Sequence, residues 1–441
     1  AGITIPENLF RNEEKNKAGD IGTGILDVFD RYNFTIKEDE PLDKEVAVDP
    51  EMLGKVFENM LDITERKNKG AFYTPREIVH YMCQESLIHY LDNALEEKVK
   101  KNDIETFIRE GHFALENDER VAAKGETKTY QYQLPESIRK NADLIDKQLS
   151  DIKICDPAIG SGAFPVGLLH ELVSAMLVLK PHLSYNYLTK KLKGFGFEEN
   201  GRTLSVAEVS DSRYIYRLKR HIIQESIYGV DIDSSAIDIA RLRLWLSLVV
   251  DEDDLDPIET LPNLDYKIVC GNSLISRYSL DIPINDVFIE FNKKIRDKSY
   301  NNKTIKDLVG NNEVNLEFYK KITNDFLIES SHEKKQIFRE FIKEIKNAFS
   351  TTLQNKEKEK ISKARGDVQN LQFVDVFGKQ AGTKKQIDDA NKKLKQLEEE
   401  RDETLDGKIY ENALEWRFEF PNLLDEKGDF IGFDVVIGNP P

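Results

Sequence analysis

Four short apolar runs, each ending at or just before an aspartate or a glycine, stand out in the pattern of hydrophobic and polar positions. They lie at residues 154–156, 227–231, 266–270 and 433–437. The first two are followed by small residues and then by apolar residues at helical spacing. Short, strongly apolar runs of this kind are typical of buried strands, and the spacing of the first two matches a βαβ unit. We predict an α/β fold with a Rossmann-like sheet of about four strands.

The turn after the first run has the composition of a cofactor loop. Gly160 and Gly162 lack the Cβ atoms that would stop a ligand from lying on the backbone, and the amides that open the next helix can face that ligand. A structural tight turn explains the same two glycines equally well when the turn is considered alone.

A polar residue ends the second run, and another follows the third. Asp231 can accept hydrogen bonds from both hydroxyls of a ribose, whereas Asp233 is better placed to cap the following helix. Asn272 follows Gly271 and carries both a donor and an acceptor, which reading an adenine edge requires. A turn-forming asparagine is an equally good explanation of this residue.

On the N-terminal side, the spacing predicts a helix over residues 49–61 and another that begins near Pro75. Thr74 and Glu77 have the spacing of a capping box, so Thr74 either caps this helix or contacts a ligand.

The last apolar run leads directly into Asn439, Pro440 and Pro441. The two prolines have no amide hydrogen, so their exposed carbonyls act only as acceptors, which suits gripping an amino group.

Between these runs, residues 333–365 and 383–405 are charge-dense with apolar positions at helical intervals, which predicts a long helical hairpin. Its charges favour a solvated face over a DNA-contacting arm, although the first helix has a basic end formed by Lys356, Lys358, Lys360, Lys363 and Arg365. We therefore predict an N-terminal helical region at 1–66, a cofactor-binding core at 67–275, an inserted helical region at 276–425 and a fourth core strand at 426–441.

Composition limits the partners. The chain has 63 Lys and Arg against 80 Asp and Glu, a net charge of −17, so any contact with nucleic acid needs a local basic face. Its three cysteines form no metal-type pair and indicate a reducing compartment. We see neither a signal peptide nor an uninterrupted apolar segment of membrane-spanning length. The expectation is a cytoplasmic protein without a metal or a membrane partner.

Taken together, these residues resemble those of the gamma-class adenine DNA methyltransferases, and most closely the methyltransferase part of type IIG restriction-modification enzymes and related phage-defence methylases. The similar motifs occur in family order, at residues 70–75, 156–164, 229–233, 271–274 and 439–441. The segments at 49–61 and 416–421 are also similar. The resemblance implies a class I methyltransferase fold, S-adenosylmethionine as cofactor and double-stranded DNA as substrate.

The resemblance also implies roles for individual residues. The cofactor-binding residues would be Tyr73, Thr74, Asp156, Pro157, Ala158, Gly160, Gly162, Asp231, Ile232, Asn272 and Ser273. Of these, Tyr73 and Thr74 would touch the methionine part and Asp156 its amino group. Asn272 stands where many relatives have an aspartate. Asn439 and the carbonyl of Pro440, within the motif that ends at Pro441, would accept hydrogen bonds from the amino group of a flipped-out adenine.

Family members follow this last motif with an aromatic residue and further strands, so we expect the chain to be a fragment that binds cofactor but methylates poorly or not at all. No nuclease constellation is evident in residues 1–66. Two alternative functions stay open: a non-catalytic nucleic-acid-binding or assembly module, and a methylase acting on a glutamine amide in protein.

Overall fold

The computed structural model describes residues 9–15, 21–24, 26–27, 74–96, 98–114, 133–199, 201–249, 263–276, 284–297, 299–329, 331–373, 380–406 and 412–439. The helix predicted over 49–61 and most of the helical region predicted at 1–66 lie outside these ranges.

A four-stranded parallel sheet forms the centre of the described fold, as predicted. Its strands are β1 (Ile154–Asp156), β4 (Ile227–Asp231), β5 (Ile268–Cys270) and β6 (Val435–Val436), in the order β5-β4-β1-β6. Because β4 and β6 lie on opposite sides of β1, the strand order reverses beside β1. In open sheets of this type, ligands bind outside the carboxyl ends of the strands at such a point.

Side chains alternate between the two faces of the sheet. Ile154, Ile227 and Ile268 join a core formed with the surrounding helices. Their neighbours Cys155, Tyr228 and Val269 point to the other face, where they pack against residues 414–433. This alternation with a period of two is that of a strand buried on both faces.

Helices connect and cover the strands. Before β1 come α1 (Arg76–Ala94), α2 (Lys101–Glu110), α3 (Glu136–Lys140) and α4 (Ala142–Asp151); α5 (Ala163–Leu179) follows β1, and α8 (Ser234–Val249) joins β4 to β5. The segment Ala163–His182 is, within the described residues, the one helix long and apolar enough to cross a membrane, and 61% of its most apolar stretch is buried inside the protein. Its apolar composition is therefore accounted for by its place in the core.

Residues 181–225 contain α6 (Tyr185–Gly194), a two-stranded antiparallel hairpin of β2 (Glu198–Glu199) and β3 (Arg202–Thr203), and α7 (Asp211–Glu225). Tyr214, Leu218 and Ile222 are buried at intervals of four residues along α7. The many Lys and Arg residues between them concealed this helical period.

The helical region between β5 and β6 has a core of its own. It contains α9 (Asn285–Arg296), α10 (Lys303–Val309), α11 (Leu316–Ile328), α12 (His332–Gln372) and α13 (Lys384–Asp406), and is followed by α14 (Trp416–Glu419). Helices α12 and α13 form the predicted hairpin, and α12 extends seven residues further than expected. At its turn Gly382 donates its amide to Leu371 O at 2.9 Å.

Candidate active site

The carboxyl ends of all four core strands lie along one edge of the sheet, and contacts link neighbouring ends. Gly271 N, after β5, donates to Asp231 O at 2.8 Å. Gly160 N, after β1, donates to Asp231 Oδ2 at 2.8 Å. A Cβ atom added at Gly438, after β6, would lie 3.1 Å from Asp156 Oδ1. Residues from four separate stretches of the chain therefore meet at a common edge.

The loop after β1 folds back over the sheet. Ile159 N donates to Val230 O at 2.9 Å. Gly160 has φ +52 and open space around its Cβ position, as a ligand-facing glycine requires. Gly162 has φ +86, but a Cβ atom there would lie 3.0 Å from Ala240 Cβ on α8. The structure thus gives Gly162 a packing role beside the ligand role that the sequence predicted.

A buried arginine on α8 donates hydrogen bonds to this loop. Arg243 on α8 is 2% exposed, and its Nη1 donates to Ser161 O at 2.8 Å and to Ser161 Oγ at 3.3 Å. The sequence reasoning missed this residue. The available signal was an arginine at a core-facing position of an otherwise apolar helix, since a buried guanidinium requires acceptors.

Asp156 is buried to 1% exposure at the end of β1. Its Oδ1 accepts a hydrogen bond from Ala158 N at 3.0 Å, while Oδ2 has no partner among the described residues. Burial, and next the negative charge of Asp231, raise the pKa of this carboxyl group to about 7. A buried carboxylate oxygen without a donor is a suitable acceptor for a cationic ligand group.

Asp231 differs from Asp156 because both of its oxygens have backbone donors. Oδ2 accepts from Gly160 N and Oδ1 from Asp233 N, each at 2.8 Å. Asp233 caps α8 by accepting from Ser235 N at 3.0 Å, as the sequence predicted. Ile232 between them is 53% exposed. The Asp231 carboxylate therefore ties the glycine loop to the end of β4 and retains lone pairs for a ligand.

The loop after β5 is a turn formed by Asn272, whose Oδ1 accepts from Leu274 N at 3.0 Å. The turn-forming role considered for this residue is therefore present. Its carbonyl oxygen has a second lone pair, so contact with a base edge stays a prediction for Asn272 and Ser273.

Helix α1 begins at Arg76, close to the predicted start, but the capping box is wrong. Pro75 is the N-cap residue, and no side chain among the described residues caps the helix. Because the helix starts one residue later than expected, Thr74 precedes the N-cap instead of occupying it as predicted. Gly167 on α5 allows α1 to approach closely, since a Cβ there would lie 2.7 Å from Val79 Cγ1. Tyr73 lies outside the described residues.

At the end of the chain, Ile437 N donates to Cys155 O at 3.0 Å and continues the pairing of β6 with β1. The next residues are Gly438, beside Asp156, and the exposed Asn439. Pro440 and Pro441 lie outside the described residues. Within the described ranges no group of three or more His, Cys, Asp or Glu side chains could hold a metal ion.

The sheet order and this carboxyl edge define a Rossmann-like methyltransferase fold. Residues 225–441 match the family described as Eco57I restriction-modification methylase. A match to a methylase family implies a methyl-donor cofactor.

A relative in Methanocaldococcus jannaschii, named "Putative type II restriction enzyme and methyltransferase", is 28% identical over 440 residues, which cover 95% of this chain. The chain spans 32% of the length of that relative.

The two loop glycines give a matched test of the packing at Gly162. Gly160→Ala should lower the free energy of unfolding by roughly 1 kcal/mol, the cost of positive φ for a residue with a Cβ atom. Gly162→Ala should cost roughly 1–3 kcal/mol more, because its methyl group would also overpack against Ala240. Urea unfolding of the two variants measures the difference, and equal losses would contradict the packing role.

Proposed function

We propose that the chain is the S-adenosylmethionine-binding part of a site-specific DNA methyltransferase, adenine-specific, within a restriction-modification enzyme. The observation that carries this proposal is the buried Asp156 oxygen beside the glycine loop, which has no partner among the described residues and has Gly438 next to it. An acceptor for a cation and a backbone cradle lie at the strand-order reversal, and Asn439, with its amide side chain, follows Gly438 there. These are the groups that a sulfonium amino acid and an adenine amino group require.

Each part of the cofactor would have a matching group. Asp156 Oδ2 would accept from its ammonium group, and Thr74 and Tyr73 would lie by the methionine part. The open backbone at Gly160 would lie under it, together with Pro157, Ala158 and Gly162, and Asp231 would bind the ribose hydroxyls. Ile232, Asn272 and Ser273 would contact the adenine. The bound cofactor supplies an electrophilic methyl group.

Asn439 and Pro440 would act on the substrate. The lone pair of an adenine amino group is delocalised into the ring, so this nitrogen is a weak nucleophile. An Asn439 side-chain oxygen and a Pro440 carbonyl that accept its two hydrogens would hold them out of the ring plane and return the lone pair to nitrogen. The adenine must first leave the DNA stack, as bases modified by enzymes generally do.

DNA is favoured as substrate by the restriction-modification family match and by the name of the archaeal relative. The two alternatives are a non-catalytic module, which would not bind cofactor, and a methylase of a protein glutamine amide, whose nitrogen is delocalised in the same way. Cofactor binding distinguishes the first alternative, and the identity of the methylated molecule distinguishes the second.

Calorimetric titration with S-adenosylmethionine tests the cofactor site. We expect the unmodified chain to bind and Asp231→Ala to bind at least about tenfold more weakly, because hydrogen bonds to a charged group are lost. Asp233→Ala is the matched control. It removes the cap of α8 at a cost of about 1 kcal/mol in stability but should leave the affinity unchanged. Absence of binding by the unmodified chain would refute the proposal.

Methyl transfer is tested with the full-length gene product, labelled S-adenosylmethionine and either plasmid DNA or protein acceptors. We expect label on adenine in DNA, with Asn439→Ala abolishing transfer while retaining cofactor affinity, because Asn439 is proposed to touch only the substrate. Label on protein and none on DNA would favour the glutamine alternative.

The raised pKa of Asp156 predicts the pH dependence of binding. Below about pH 7 this buried carboxyl group is protonated and cannot pair with an ammonium. Affinity for S-adenosylmethionine should therefore rise roughly fivefold from pH 6 to pH 7.5, because ionisation of Asp156 favours binding about eightfold over this range and partial deprotonation of the ligand's own amino group offsets some of the gain. Calorimetry at several pH values measures this slope, and Asp156→Asn should remove it.

A second ligand provides the control for this pH test. 5′-Methylthioadenosine lacks the amino acid part, so its affinity should not follow the titration of Asp156. An equal slope for both ligands would mean that Asp156 does not contact the amino group.

A further inference from the structure

The chain returns from the helical region to the sheet along the loop that follows β5. Asn272 N donates to Asn412 O at 2.6 Å, and Leu414 N donates to Ile275 O at 2.8 Å. Asn272 and Ala413 form a parallel bridge. Residues 412–416, which we term the return segment, therefore add a short strand-like pairing to the loop at residues 271–276.

Side chains strengthen this contact. A Cβ atom at Gly271 would lie 2.7 Å from Leu414 Cδ1, so the glycine is needed for the close approach. Ser276 Oγ donates to Glu415 Oε2 at 3.0 Å, and Trp416 Nε1 donates to Ser273 O at 3.3 Å. The loop has little packing of its own at its tip, where Leu274 is 89% exposed. Its position therefore depends on the return segment.

Trp416 is itself held firmly. Its ring centroid lies 5.7 Å from that of Phe420, 5.8 Å from that of Phe433 and 6.1 Å from that of Phe430. These rings belong to the cluster that covers one face of the sheet. Aromatic packing fixes the plane of the indole, and so fixes the direction in which its N–H donates.

The same helix connects the loop to the long hairpin. Glu419 at the end of α14 accepts two hydrogen bonds from Lys346 Nζ on α12, at 2.7 and 2.8 Å. Phe418 is buried in the core of the helical region. Trp416 thus lies between that region and the loop after β5.

We infer that Trp416 is a positioning residue for the cofactor site, because its indole N–H holds the Ser273 carbonyl and with it the loop that meets the base end of the cofactor. This inference rests on the proposed function, which assigns Asn272 and Ser273 to the adenine. Trp416 does not touch the ligand and acts through the loop.

Trp416→Phe tests the inference, since phenylalanine keeps an aromatic ring in the cluster but removes the N–H donor. Affinity for S-adenosylhomocysteine should fall roughly fivefold, the effect of one hydrogen bond of about 1 kcal/mol. The chain has two tryptophans. Trp245→Phe on α8, packed against the main core, is the matched control and should keep the affinity of the unmodified chain.

The control variant also supplies a second measurement that needs no change at Trp416. In Trp245→Phe, Trp416 is the sole tryptophan, and its fluorescence should change as S-adenosylhomocysteine binds, with the same midpoint as the calorimetric titration. This measurement decides the question if Trp416→Phe does not fold.

The outcomes separate the two proposals. If the unmodified chain does not bind S-adenosylhomocysteine, the proposed function fails and this inference fails with it. If the unmodified chain binds but Trp416→Phe binds equally well, or is merely less stable with unchanged affinity, the role of Trp416 is refuted while the cofactor site stands. If Trp416 fluorescence in Trp245→Phe does not change while calorimetry shows binding, the positioning role of Trp416 is refuted as well.

Discussion

The pairing of β1 with β4 on one side and β6 on the other is the constraint on which the rest of the structure depends. The parallel register sets Asp156 opposite Gly229, and the loop after β1 then reaches across to Val230 and Asp231. A side chain at position 229 would displace Ile159, whose Cδ1 lies 2.3 Å from the Cβ position of Gly229. A register shift of one residue would turn the alternating side chains to the wrong faces.

The two carboxylates at this edge are stabilised in different ways. Both carboxylate oxygens of Asp231 accept hydrogen bonds from backbone amides, and one of these bonds holds the glycine loop after β1. Asp156 keeps one buried oxygen without a donor among the described residues, and burial raises its pKa. As pH rises from about 4 towards 7, the unfolded state loses this proton first, so the buried carboxyl group lowers stability. A buried acceptor without a hydrogen-bond donor is unfavourable for folding, and such sites are expected where a protein binds a ligand.

The sequence was sufficient to predict elements that depend on short-range pattern. The four strands, the helices after β1 and β4, the hairpin of α12 and α13 and the capping role of Asp233 were all read from periodicity and turn chemistry. It was insufficient where a contact joins distant segments. The sequence around Arg243 does not indicate that Ser161 is its hydrogen-bond acceptor. The sequence around Trp416 likewise does not indicate its hydrogen bond to Ser273. The predicted capping box was wrong although Thr74 and Glu77 have the required spacing, because the helix starts one residue later than the spacing implies.

The long hairpin illustrates how tertiary contacts refine a charge pattern. Arg365 on α12 donates to Glu398 on α13 at 2.9 Å through Nε. Ile361, Ala364 and Val368 are buried on the same helix. One basic residue at the end of α12 therefore pairs with an acidic residue of α13 beside an apolar seam, which reduces the positive field that a DNA phosphate would meet there. This pair favours a solvated arm, which the Lys346–Glu419 ion pair links to α14 beside the carboxyl edge of the sheet.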